Sequence, residues 1–322
     1  MRRKIIYVLA TLLFAGIVAF LTGPRVPVDT SVTFDAASLG TDLDAYLVKR
    51  EANTPNLRAG LGREIIWAFP SSKAKTPISI VYVHGFSASK GEVRPLPDLV
   101  AKALGANLYY TRLTGHGQDG AAMATATVND WVNDYAEAMA IGRAIGEKVI
   151  VMGTSTGGGL ITWGLTQTAL TENIAGAVLI SPNYGVQAAG SEMLTAPFGK
   201  QLANLIVGKE RSFKPENELH AKFWTPKYPT EALLPMAGLT ALAAKEPVET
   251  IKTPAFFIYS KTDKVIRPDL VEAIAARWGG PKQILAVEKN DDPYSHVIAG
   301  DALSPSTTQP LADAIIAWAK TL

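Results

Sequence analysis

The chain has 322 residues, enough for one large domain with an insertion or for two domains, and its formal net charge is only +2 with lysines and arginines scattered along it. Nothing in that balance offers nucleic acid a surface, and no nucleic-acid partner is expected. Cysteine is absent, which excludes disulfides, thiolate catalysis and thiolate zinc sites, and the four histidines, His84, His116, His220 and His296, lack metal-ligand spacing. No metal and no cofactor is therefore expected.

The N-terminus carries Arg2, Arg3 and Lys4, then an uncharged run over 5–22, IIYVLATLLFAGIVAFLT, closed by Gly23, Pro24 and Arg25. That length is close to the ~20 residues that cross a bilayer as a helix. A cleaved signal peptide, a signal anchor and a buried core helix compete for it. The poor cleavage site around Ala19 to Gly23 argues against cleavage, and the lack of a polar face argues against a core helix. The anchor is preferred, with secretion after cleavage as the alternative. The flanking basic residues would keep the N-terminus in the cytoplasm and place the rest on the exoplasmic or periplasmic side. Residues 1–24 then form the anchor, 25–60 a juxtamembrane linker with one helix over 39–50, and 61–322 the main domain.

Residues 63–69, REIIWAF, alternate weakly as an edge strand, and 77–83, PISIVYV, read as a buried parallel strand that delivers His84-Gly85-Phe86 at its carboxyl end. In open α/β sheets, ligands bind outside those strand ends. A helix over 92–104 and a strand over 107–111 lead to Arg112-Leu113-Thr114-Gly115-His116-Gly117. Apolar residues at helical spacing then mark a packing helix over 128–145.

Residues 149–152 drive as a strand into Gly153-Thr154-Ser155-Thr156-Gly157, and a glycine-rich helix start follows. This is a G-x-S-x-G turn in strand-turn-helix context, where the serine sits on a turn so tight that side chains two positions either way would collide. The turn opens a helix, so the Thr156 N–H has no intrahelical partner and can donate to a developing oxyanion. Further buried strands are expected over 175–180 and 254–259. Between them, about 186–253, helical pieces and proline-marked aromatic segments replace strands of core character. Ser260-Lys261-Thr262-Asp263-Lys264-Val265-Ile266-Arg267-Pro268 follows the second of these strands. A last strand over 283–288, a loop, His296 and a final helix over 310–322 complete the chain.

The HGF loop, the R-x-x-G-H-G loop, the G-x-S-x-G turn and the S-x-x-D-x-x-V-x-P loop together resemble the α/β-hydrolase superfamily, from about residue 63 to the end. The likeness is closest to the branch of monoacylglycerol lipases, carboxylesterases and serine aminopeptidase-like enzymes. It implies an α/β fold with a mostly parallel central sheet flanked by helices and a helical cap over about 186–253. It implies Ser155 as nucleophile, Asp263 as acid (Asp269 as fallback) and His296 as base, in the superfamily's chain order. His296 is also the only histidine after that acid. The oxyanion hole falls to the N–H groups of Phe86 and Thr156. His84 is expected to brace its loop and His116 to shape the site wall. Phe213, Phe223, Trp224 and Tyr228 are candidates to line an acyl or alcohol pocket. The implied activity is a membrane-anchored serine hydrolase of the carboxylesterase or lipase type, acting on small-molecule or lipid esters. A peptidase or acyltransferase with the same triad, or a silent hydrolase fold used for binding, are the rivals. Acyl group, leaving group and oligomeric state are not specified by these motifs.

Overall fold

The computed structural model describes residues 2–322, with Met1 outside them. Helix α1 (Arg2–Leu21) stands exposed, without acidic residues, and is long and apolar enough to cross a membrane. The same length and composition near an N-terminus also suit a signal sequence. After a short 3-10 turn, α2 (Leu43–Ala52) starts at Asp42, whose carboxylate accepts from the Ala45 N–H at 3.0 Å. It begins four residues later than its apolar spacing predicts because that cap fixes its start. Leu39, Leu43 and Leu47 are buried against the main core.

The body is built on strands β1 (Glu64–Ile66), β2 (Thr76–Val83) and, beyond α3 (Leu96–Leu104), β3 (Asn107–Tyr110). A single helical turn, α4 (Gly120–Met123), and α5 (Val128–Ile145) precede β4 (Gly146–Thr154) and α6 (Thr156–Thr166), and β5 (Ile174–Ile180) follows. The chain then makes an excursion through α7 (Gly199–Ile206), β6 (Glu210–Ser212), α8 (Glu218–Phe223), β7 (Lys227–Pro229) and α9 (Leu233–Ala243). It returns through β8 (Ala255–Tyr259), α10 (Pro268–Arg277), β9 (Lys282–Ala286) and α11 (Pro305–Ala319). The main sheet has seven strands in the order β1-β3-β2-β4-β5-β8-β9, parallel throughout except for the antiparallel edge β1. The short β6 and β7 pair antiparallel on their own, so the excursion adds no strand to this sheet.

Alternation along the strands divides the core into two layers. Val149 and Val151 of β4 face a cluster with Trp131, Met139, Leu160 and Ile161, from α5 and α6. Ile150 and Met152 face the other, with Val100 of α3 and Ile315 of α11. Two helix starts differ from the periodicity. The helix expected from residue 92 begins at Leu96 because Pro95 sits at its N-cap and disfavours helical backbone at Arg94. The final helix begins at Pro305 rather than Pro310, so Pro305 occupies the favoured first turn and Pro310 lies in the interior.

A charge cluster closes one side of the sheet. Arg63 is almost fully buried and reaches Asp134 at 2.9 Å, Glu137 at 3.1 Å and Glu51 at 3.1 Å. Arg112 meets Glu51 at 2.7 Å and Arg50 meets Glu137 at 3.0 Å, so three cations balance three carboxylates. Removing one member leaves its partners buried and unpaired. Arg63→Leu is expected to lower stability by about 3–5 kcal/mol, read from the denaturant midpoint of the purified protein.

Candidate active site

Strand order reverses between β2 and β4: the chain steps from β2 outward to β3, then crosses back to β4 and proceeds the other way. Such a reversal opens a crevice at the carboxyl ends of the two strands. Val83 and Gly153 are paired there, so the His84-Gly85-Phe86 loop and the Ser155 turn emerge side by side.

Ser155 has φ 53 and ψ −117, a backbone conformation that non-glycine residues rarely adopt. It is held by tight local bonding. Its N–H donates to Ile180 O at 2.9 Å, and its own carbonyl accepts from Gly159 N at 3.1 Å and Asn183 N at 2.9 Å. A Cβ on Gly157 would fall 2.2 Å from Val83 O, and one on Gly153 would fall 2.4 Å from the Ile161 side chain. Both glycines are thus required by close approach. Ser155 stands at the N-cap position of α6 without a side-chain capping bond, and neither the Thr156 N–H nor the Phe86 N–H has an acceptor among the described residues.

Asp263 lies in the loop after β8 with its side chain fully buried, and Oδ2 is 2.8 Å from His296 Nδ1. Its Oδ1 accepts from the N–H groups of Val265 at 2.7 Å and Ile266 at 2.9 Å, which fixes the carboxylate. Asp269 instead pairs on the surface with Arg267. The His296 ring is buried, which alone would depress its pKa. The Asp263 carboxylate, by charge and hydrogen bond, outweighs that, Glu92 and Asp292 add to it, and the net displacement is upward. With Nδ1 committed to Asp263, Nε2 is the nitrogen left to exchange a proton.

Among the described residues no hydrogen bond joins Ser155 Oγ to the His296 ring, and such contacts often tighten only around substrate. Their backbones are joined at one remove: Ser155 N bonds to Ile180 O, and the next residue, Ser181, donates its hydroxyl to His296 O at 2.8 Å. Asp292 Oδ2 accepts from the N–H groups of His296 at 2.9 Å and Val297 at 2.8 Å. Asp292 and Ser181 escaped the sequence reading, since no motif marks a loop residue whose work is to hold another loop.

The two other histidines near the site are neutral supports. His84 donates from Nδ1 to Gly85 O at 2.9 Å while Nε2 accepts from Leu113 N at 3.1 Å. Burial, with His116 and Arg112 nearby, holds its pKa well below the usual value. His116 is buried between the rings of His84, Phe86 and Trp131, and burial lowers it to about 4.

Of the four aromatics expected to line a pocket, Tyr228 sets its ring edge-on to Phe86 at 5.4 Å. Phe213 stacks on His220, Trp224 meets that ring edge-on and Phe223 covers Gly91. A cavity of about 370 Å³ lies away from Ser155, at the foot of α1, between residues 24–27 and the excursion. Among the described residues no three His, Asp or Glu side chains converge as a metal site.

The model of the alpha/beta hydrolase family matches residues 80–302. A thermostable monoacylglycerol lipase of Bacillus sp. (strain H-257) is 29% identical over 203 residues, covering 62% of this chain and 75% of that protein. Among solved structures, one reported with the metagenome-derived lipolytic enzymes LipS and LipT aligns with TM-score 0.67 at 23% identity, over 83% of this chain and 100% of that one. A soluble variant of monoglyceride lipase from Saccharomyces cerevisiae, in complex with a substrate analogue, aligns with TM-score 0.61 at 13% identity, over 81% and 90% of the two chains. At those identities the structural likeness speaks to the fold.

The packing of the serine turn is directly testable. Gly157→Ala is expected to cost about 1–3 kcal/mol, because a backbone carbonyl cannot yield. Gly16→Ala, with open space around it, should leave the melting temperature of the purified protein unchanged.

Proposed function

This chain belongs to the α/β-hydrolase family, and on that premise we propose that it is a serine hydrolase cleaving carboxylic esters through an acyl-enzyme on Ser155. The observation that carries this reading is the buried Asp263–His296 pair, loop-bonded to a serine on a strained helix-opening turn. His296 Nε2 takes the Ser155 proton as Oγ attacks the ester carbonyl, and Asp263 stabilises the imidazolium and fixes its tautomer. The Phe86 and Thr156 N–H groups receive the oxyanion, each contributing about 2.7–4 kcal/mol in the transition state. His296 then returns the proton to the leaving alcohol, and the same imidazole activates the water that releases the acid.

We further propose that α1 is a membrane anchor, that the excursion between β5 and β8 is a cap over the site, and that the substrates are lipid esters. Three contacts support this. Phe198 N donates to Pro24 O at 2.7 Å, Gly23 packs on the Phe198 ring, and Arg25 donates to Thr195 O at 3.4 Å. The end of the apolar helix is therefore fastened to the cap. Beside that junction α7 exposes Leu205 and Ile206, which are 82% and 62% accessible. An apolar tip at the foot of an anchor favours contact with acyl chains over contact with water. The Bacillus relative is named for monoacylglycerol. The basic residues in the first turn of α1 favour an exoplasmic or periplasmic body.

A fluorophosphonate probe is expected to label the purified protein and to lose all labelling in Ser155→Ala; an unlabelled intact protein would defeat the enzyme reading. Because Asp263 raises the His296 pKa, labelling should fall with acidity with a midpoint above the ordinary histidine value of about 6.5. In Asp263→Asn that midpoint should drop. For the substrate class, turnover of monoacylglycerol in vesicles should exceed that of soluble short-chain esters, and the reverse order would sink the lipid assignment.

A further inference from the structure

Behind the loop that carries Phe86 lies a carboxylate that the reaction above does not use. Glu92, in the turn ahead of α3, is 2% exposed. Its Oε2 accepts from the Gly85 N–H at 2.7 Å and from the Tyr82 hydroxyl at 2.9 Å. The Tyr82 hydroxyl in turn lies 3.0 Å from Thr154 Oγ1. A continuous chain of polar contacts therefore runs from Gly85 through Glu92 and Tyr82 to Thr154. Its two ends are the residues that precede Phe86 and Ser155. Packing along it is tight: a Cβ on Gly85 would fall 2.6 Å from Glu92 Oε1 and 3.1 Å from Ser155 Cβ.

An uncharged amide could accept both hydrogen bonds without the desolvation that a buried carboxylate incurs. His296 is the ionisable ring whose field reaches Glu92, and Glu92 is among the groups that raise the His296 pKa.

We propose that Glu92 is a positioning residue: its carboxylate, bonded to the Gly85 N–H and the Tyr82 hydroxyl, holds the Phe86 and Thr156 donors at a fixed separation. The proposal rests on the serine-hydrolase reading. Burial pushes the Glu92 carboxyl up to about 7, against the Gly85 N–H, the Tyr82 hydroxyl and His296, which pull it down. As pH falls through that range Glu92 takes up a proton and the charge-assisted bond to Gly85 weakens. The groups facing Glu92 are thus Tyr82 from β2 and His296 from the loop ahead of α11. Those facing His296 are Asp263 from the loop after β8, Asp292 from its own loop, and Glu92.

The test is the rate of fluorophosphonate labelling of the full-length, detergent-solubilised protein across the neutral pH range, with melting temperature as the folding control. Glu92→Ala is expected to slow labelling roughly tenfold at the optimum with little change in probe affinity. Glu92→Gln, which keeps an acceptor for both bonds, should stay within about threefold of wild type at its optimum, while its acid limb moves to lower pH. Tyr82→Phe, which cuts the bridge to Thr154 and leaves the charge, should slow labelling without moving the limb. A Glu92→Gln profile superimposed on wild type overturns the proposal, as does a folded Glu92→Ala labelled at the wild-type rate. If Glu92→Ala fails to fold, the Gln and Tyr82 variants decide. Wild-type protein that takes no label fails the hydrolase reading instead, so the two failures are distinguishable.

Discussion

The Ser155 turn exists because two strand ends approach more closely than side chains permit. Its positive φ costs about 1–3 kcal/mol on its own and persists only where the surroundings over-determine it. Here they do so from three directions: β2 presents Val83 O against Gly157, β5 supplies Ile180 O to the Ser155 N–H, and the following loop returns the Asn183 N–H to its carbonyl. Each of those contacts requires β2, β4 and β5 to be neighbours in the sheet. Strand order, two glycines and one strained residue are therefore a single constraint, and the hydroxyl it presents at the crevice is its product.

The charge cluster around Arg63 extends that constraint to the wall of the site. Glu51 comes from α2, Asp134 and Glu137 from α5, and Arg112 from the R-x-x-G-H-G loop. Asp134 also accepts from the Thr114 N–H at 2.6 Å, and Arg112 donates to His116 O at 3.2 Å. Through these bonds a segment ahead of the first strand fixes the loop whose His116 ring packs on Phe86. A neutral His116 suits such a place, since a cation beside the Phe86 ring and buried from water would be costly.

Legibility in the sequence followed the range of the interaction. Buried parallel strands are local patterns, and residues 77–83, 107–111, 149–152, 175–180 and 254–259 emerged as strands within a few positions of their observed ends. The G-x-S-x-G turn is also local, because glycine there answers a collision two residues away. The pairing of Asp263 with His296 spans 33 positions and came from chain order and loop resemblance, not from periodicity. Helix starts were misplaced where a proline or a capping aspartate overrode apolar spacing, at residues 42, 95 and 305. Composition marked Phe213, Phe223, Trp224 and Tyr228 as aromatics of the excursion but carried no direction: Tyr228 meets Phe86, Phe223 covers Gly91, and Phe213 and Trp224 pack on His220. Glu92 and Asp292 left no mark, since each acts on backbone N–H groups that only the folded loops bring near.

The bond between Phe198 N and Pro24 O bears on more than location. It leaves hardly any slack between the apolar helix and the excursion between β5 and β8. A helix in a bilayer tilts to match its hydrophobic length to the local thickness. With so short a coupling, tilt becomes a lever arm: a rotation of α1 is delivered to α7 and its neighbours before it reaches the sheet. Were α1 to lie in a bilayer, the thickness of that bilayer would act on the excursion as a mechanical input before it reached the sheet in which the strained serine is rooted.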